Sequence, residues 1–188
     1  MGEDIFSDRL LKGERILWAG KPAAGILFTS RDIFTVPFSL LWCGFAIFWT
    51  FMASAGGKSP AFFPLFGLLF VAIGLFFVFG RFFADAWIRS RTHYAVTDQR
   101  VLILRSIVSK NFSALNLSQL QQVNLNETSG GRGSVRLGPQ ISMFSRNSGN
   151  LGSWMPSMDP TPQLLAIDNV RQVFDLIQSR SGRAGQST

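Results

Sequence analysis

Tyr94–Arg105 reads YAVTDQRVLILR. Two extended apolar runs flank the polar turn Thr97-Asp98-Gln99, and this pattern predicts a β-hairpin. The sixty residues before it have a different character: long apolar runs with almost no charge. A sheet signal placed directly behind such a segment decides the architecture, so the reading proceeds outward from it in both directions.

Upstream, no charged residue occurs between Asp32 and Lys58, or between Lys58 and Arg81. Ile33–Ala53 (IFTVPFSLLWCGFAIFWTFMA) supplies 21 residues, about 31 Å of helix at roughly 1.5 Å per residue. That matches a hydrocarbon core about 30 Å thick. Phe62–Gly80 (FFPLFGLLFVAIGLFFVFG) is a second run of similar length. Pro37 and Pro64 lie near the outer turns, where a missing N–H is tolerated. Burying two such helices in a soluble core would need far more chain than the 188 residues contain. A two-span transmembrane hairpin is therefore expected over 32–91, including an exit helix.

Lys and Arg placement sets the expected orientation. Arg9, Lys12, Arg15, Lys21 and Arg31 precede the first span, Lys58 alone lies in the connection, and Arg81, Arg89 and Arg91 follow the second. The positive-inside rule then puts both termini in the cytoplasm. No apolar stretch before Ile33 has the form of a cleaved signal. Residues 1–31 read as a cytoplasmic N-terminal segment. Trp87 suits a membrane-interface anchor, and Arg81, Arg89, Arg91 and Arg100 are the candidate lipid-headgroup contacts.

Downstream the period shortens to two. Thr92–Val96 and Arg100–Arg105 form the hairpin, Asn111–Leu117 roughly alternates, and Gln122–Glu127 alternates cleanly. Gly130–Gly133 leads as a turn into Ser134–Leu137. Short strands at such spacing predict an antiparallel barrel or sandwich. Residues 138–163 read as a loop holding one or two further strands. Val170, Val173, Phe174 and Ile177 then fall at i, i+3, i+4, i+7, the signature of an amphipathic helix. Asp168 is a candidate N-cap, and Thr161-Pro162 an alternative earlier start. The last ten residues, 179–188, are polar and read as a disordered tail. The sheet domain is thus expected over 92–178, closed by the C-terminal α-helix.

Glu14–Pro22 (ERILWAGKP), the two spans, YAVTDQRVLI, NLSQLQQVNL, a Gly-rich turn and DNVRQVFDLI together resemble the bacterial pleckstrin-homology (PH) membrane proteins. The likeness covers Glu14 to Ile177 and is most specific at Tyr94-x-Val96-Thr97-Asp98-x-Arg100-Val101. Met143–Pro160 departs from a compact version of the pattern. The resemblance implies a PH-like β-rich barrel closed by a helix, sited at the bacterial inner membrane, and says little of ligands. Related domains occur in assembly factors for membrane complexes, including photosynthetic ones, an analogy of fold rather than of site.

Residues that would carry chemistry are scarce. His93 is the single histidine and Cys43 the single cysteine, so no disulfide, cysteine-based zinc cage or metal cofactor is expected. Cys43 reads as a small hydrophobe and His93 as a surface or interface residue. The eleven acidic residues are scattered, without a catalytic pair. Gly56–Ser59 copies the end of a phosphate loop, but Met52 stands where that loop needs glycine. Gly130–Gly133 precedes a strand, which favours a turn over an anion cradle. Asn126-Glu127-Thr128 is a glycosylation sequon with no meaning on a cytoplasmic face. The net charge of +7 is dispersed, without the aromatic platform that single-stranded nucleic acid requires.

The expectation is a non-enzymatic, multi-pass inner-membrane protein without cofactors. Its partners would be the lipid bilayer and another membrane protein or complex, with a homo-oligomer compatible and nucleic acid excluded. The leading function is an interaction scaffold or accessory factor. The alternatives are a module that binds anionic headgroups and a membrane enzyme with no recognised site.

Overall fold

The structure is a computed structural model that describes residues 5–28, 32–55, 60, 62–107, 109–120, 122–128, 130–138 and 155–184. The Gly56–Ser59 loop, most of Met143–Pro160 and the last four residues lie outside this set. The chain divides into two compact units, Ile26–Ala84 and a second made of Met1–Gly25 with Asp85–Thr188.

The first unit is a helical hairpin. Helix α1 runs Asp32–Ala55 and α2 runs Phe62–Leu75, followed by a π-helical turn, Phe76–Gly80, and the start of α3, Arg81–Ser90. Asp32–Ala55 and the continuous helical run Leu65–Ser90 are long and apolar enough to cross a membrane, and only 17% and 22% of their most apolar stretches are buried. Phe34, Leu41, Phe51 and Leu65 are each about two-thirds exposed or more, a display that water does not tolerate over such an area. What the helices bury is small. Ser39, Cys43 and Ala46 form a stripe on α1, and Gly67 and Gly74 face it from α2. A Cβ on Gly67 would collide with the Thr50 hydroxyl, and one on Gly74 would stand 3.0 Å from Cys43 Cβ. Small residues let the two backbones approach closely, the usual basis of helix association in lipid. The hydroxyls inside α1 bond backward along their own helix, Ser39 to the Thr35 carbonyl and Thr50 to the Ala46 carbonyl. They need no water.

The second unit holds seven strands in two antiparallel sheets. Strands β1 (Ile16–Gly20), β2 (Thr92–Thr97), β3 (Arg100–Ser106) and β4 (Lys110–Asn116) pair in that order. Strands β5 (Val123–Thr128), β6 (Arg132–Leu137) and β7 (Gln163–Ile167) form the other sheet. Helix α4, Val170–Ala184, packs on it. Tyr94, Val96, Val101 and Ile103 from the first sheet meet Val135, Leu164 and Ile167 from the second and Val170, Val173 and Ile177 from α4 in one core. The reverse face of the first sheet carries a smaller core, in which Phe6 is fully buried against Ala95, Leu102 and Leu104.

Several sequence expectations change here. Residues 1–31 are not a separate segment, because β1 pairs with β2 and Phe6 covers the sheet's outer face. The 138–163 loop, expected to hold one or two further strands, supplies at its last residue the start of β7, which spans Gln163–Ile167 and is buried along its whole length. Thr161-Pro162 therefore starts no helix. Asp168 pairs with Arg132 at 2.8 Å, both side chains about two-thirds exposed, and the 179–188 tail is helical as far as Ala184. Phe174 is half-buried, while Val170, Val173 and Ile177 take the central positions. The Gly-rich turn is as expected: Gly130 and Gly131 adopt φ of 100° and 76°, open to glycine alone without strain, between paired Thr128 and Arg132.

Two outcomes follow from this packing. Ile177→Ala should destabilise the protein by roughly 2–5 kcal/mol, and Asp175→Ala on the exposed face should leave it within about 0.5 kcal/mol, as read by thermal unfolding of the full chain in detergent. Gly67→Leu should separate α1 from α2, read as lost disulfide cross-linking between cysteines placed across that contact in a Cys43→Ser background.

Candidate functional site

The four candidate headgroup arginines have different fates. Arg81 lies at the α3 start with its side chain 3% exposed, its Nη2 2.7 Å from Asp32 Oδ1 at the beginning of α1. Its guanidinium also sits 4.5 Å from the Phe82 ring centroid. The pair therefore closes the open end of the helical hairpin.

Arg89 is 2% exposed. Its Nε donates to Asp85 Oδ2 at 2.7 Å, one helical turn earlier, and its two terminal nitrogens donate to the carbonyls of Ala23 and Gly25 at 2.7 and 2.5 Å. Asp85 is buried too, and its other oxygen accepts from the Ser157 backbone N–H at 3.0 Å. Each nitrogen of the guanidinium and each oxygen of the carboxylate thus has a partner, the condition under which such a pair can be retained. Ala23 N–H in turn donates to the Ala166 carbonyl on β7. This network ties together the place where the chain leaves the sheet unit, near Gly25, and the place where it returns, at Asp85.

Arg100 belongs to a second network at the opposite end of the first sheet. Its Nη2 and Nε reach Glu14 Oε2 and Oε1 at 2.6 and 3.1 Å. Glu14 also accepts from the Thr97 hydroxyl and from the Leu11 N–H, each at 2.7 Å. Burial alone would push the Glu14 carboxyl up. The hydrogen bonds from Arg100, Leu11 and Thr97, with the Arg100 charge, outweigh burial and lower it from 4.5 to about 2. Thr97 Oγ1 accepts from the N–H groups of Gln99 and Arg100. The hairpin turn is therefore capped by Thr97 and not by Asp98, whose carboxylate instead accepts from the Arg15 N–H.

Arg91 alone of the four stays exposed, its guanidinium 4.4 Å above the half-exposed Trp87 ring. A cation stacked on an indole at the surface is the arrangement expected of an interfacial anchor. Three of the expected contacts are thus internal structural cations, and Arg91 with Trp87 is the pair left available. His93 and Tyr94 begin the sheet beside them. Burial, then the Lys21 charge, lowers the His93 pKa, so its ring is neutral at pH 7. Burial raises that of Tyr94, whose hydroxyl accepts from the Leu165 N–H at 3.2 Å. Among the described residues neither side chain is hydrogen-bonded to a carboxylate or thiol, and no cluster of metal-ligating groups occurs. Within the helical unit, Trp42, Phe45, Ala46, Trp49, Phe66 and Phe70 line a groove of about 160 Å³ without a charged side chain.

The acidic members of these networks, Glu14 and Asp85, were not candidates from sequence. Asp85 carries a local signal, a carboxylate four residues before an arginine on one helix. Glu14 carries none, since its partner is 86 positions away.

The Glu14 network gives a pH dependence with a defined sign. Its folded pKa lies below the unfolded value, so the stabilisation is complete above about pH 4.5 and is lost as pH falls toward 2. Glu14→Gln should cost roughly 1.5–3 kcal/mol at pH 7. Its unfolding midpoint should vary less than that of the parent through that acid window, as measured by denaturant titration of the full chain.

No family model, curated protein or solved structure matches the chain. A functional reading therefore rests on the residues and their geometry.

Proposed function

We propose that the chain is a multi-pass inner-membrane protein in which a PH-like domain serves as an interaction scaffold, an accessory or assembly factor of a membrane complex. One observation carries the reading. Seven strands in a four-plus-three antiparallel arrangement, with a C-terminal helix packed on them, are interrupted between neighbouring strands β1 and β2 by two helices apolar over their exposed surface. The four-plus-three count and the closing helix agree with the PH-like resemblance of the Tyr94–Val101 motif. The apolar hairpin agrees with a bilayer as its surroundings. Basic residues on both flanks support a cytoplasmic side for the sheet domain and both termini by the positive-inside rule.

A scaffold needs a surface to offer, and β4 supplies one. It is an edge of its sheet, and five of its seven residues are exposed. An edge strand presents unpaired N–H and C=O groups to which an extended segment of a partner can add.

A cytoplasm-dependent reporter fused at Thr188 should be active and one inserted at Gly57 inactive; the reverse result overturns the orientation. A photo-crosslinking residue at Ser113 should give a discrete adduct in intact membranes, and one at Asp175 should not. Equal labelling at the two positions, or none at Ser113, would remove β4 as the interaction surface.

A further inference from the structure

The two ends of the first sheet differ in electrostatic character. At the Thr97–Arg100 turn carboxylates accompany the cations, with Glu14 on Arg100 and Asp98 accepting from the Arg15 backbone. At the other end the register lines up cations alone. Thr92 pairs with Arg105, and Ser106 with Lys110. Arg91 precedes β2, and its carbonyl accepts from the Ser106 N–H at 3.0 Å. Gly20 pairs with Tyr94, so Lys21 continues β1 beyond its last pair at this same end. Its charge is felt at His93. Lys21, Arg91, Arg105 and Lys110 thus stand at one end of four successive strands, three of them exposed and Arg105 half-buried. None of the four belongs to an ion pair among the described residues. The buried carboxylate nearby, Asp85, is already held by Arg89 and the Ser157 N–H.

We propose that this row of four cations is a docking face for the phosphate-bearing headgroups of anionic lipids, in the bilayer that would hold α1 and α2. The proposal rests on the membrane reading above and adds to it a ligand class and a residue set. Two features favour a lipid surface. The chain leaves the sheet unit at Gly25 and returns at Asp85, and Arg89 fixes both crossings beside the start of β2. The Trp87 indole at this end is half-exposed and lies under Arg91, which suits the headgroup level. Four like charges with no counterion among the described residues repel one another, and an anionic surface relieves that repulsion over about a Debye length. The row would fix which side of the domain faces the bilayer and leave the face of α4 and the edge of β4 toward the cytoplasm.

The experiment uses the full-length protein in nanodiscs of phosphatidylcholine, or of phosphatidylcholine mixed with phosphatidylglycerol. Amide exchange is followed across the Arg105–Lys110 connection. Exchange there should slow by on the order of tenfold in the anionic discs, and the protection should fade as salt is raised to about 0.5 M. The triple variant Lys21→Gln, Arg105→Gln, Lys110→Gln should lose the protection while the amides of β5 exchange as in the parent, showing an intact fold. Equal exchange in the two kinds of disc overturns the proposal. So does equal protection by dissolved glycerol phosphate in phosphatidylcholine discs, which would make the row a site for a soluble phosphate. A chain that fails to enter discs of either kind would instead overturn the membrane reading itself.

Discussion

The guanidinium of Arg89 is the interaction on which the architecture turns. Two adjacent strands of one sheet, β1 and β2, are separated in the chain by a long helical insertion. Closing so long an excursion is entropically costly, although the cost grows only slowly with length. Arg89 offsets it at the point where it arises, holding the outgoing carbonyls of Ala23 and Gly25 against the returning helix. Asp85 neutralises the cation and extends the network to Ser157. Losing either member would leave a buried charge without its counterion, which typically costs about 3–5 kcal/mol.

A second clamp at the opposite end of the same strands gives the sheet its other fixed point. Glu14 lies just before β1 and Arg100 opens β3, so their ion pair passes over the end of β2, with the Thr97 hydroxyl between them. The two networks use the same chemistry for different purposes. The first joins the edges of an insertion, and the second pins a terminal segment that would otherwise fray. Phe6 completes the second, since its ring covers the outer face of the sheet only if the chain before β1 folds back.

How much of this was legible in the sequence depended on range. The apolar helices, the Tyr94–Arg105 hairpin, the strands that follow it and the face of α4 announce themselves by local composition and period. Strand β1 does not, because ILWAG is five residues long and its partner lies 74 positions away, at Tyr94 for Gly20. Strand β7 was hidden by its burial: QLLAI has no polar alternation, and Thr161-Pro162 ahead of it imitates a helix start. The arginines illustrate the same limit in electrostatics. Sequence shows that Arg81, Arg89 and Arg100 are cations near apolar helices, but their counterions, Asp32, Asp85 and Glu14, are fixed by tertiary structure. What was read as a lipid-facing set is mostly internal scaffolding, and Lys21, Arg105 and Lys110 gain their shared position only through strand register.

The insertion also orders events during synthesis. Tyr94 emerges from the ribosome 74 residues after Gly20, a delay of about 4–15 s at roughly 5–20 residues per second. Throughout that interval β1 exists without its neighbour, and Trp18, Ile16 and the Phe6 side chain have no sheet to cover. The first sheet can form only once both apolar helices have been made. Synthesis of the apolar helices and assembly of the sheet are therefore coupled in time, and a delay in the first prolongs the exposure of a nascent edge strand.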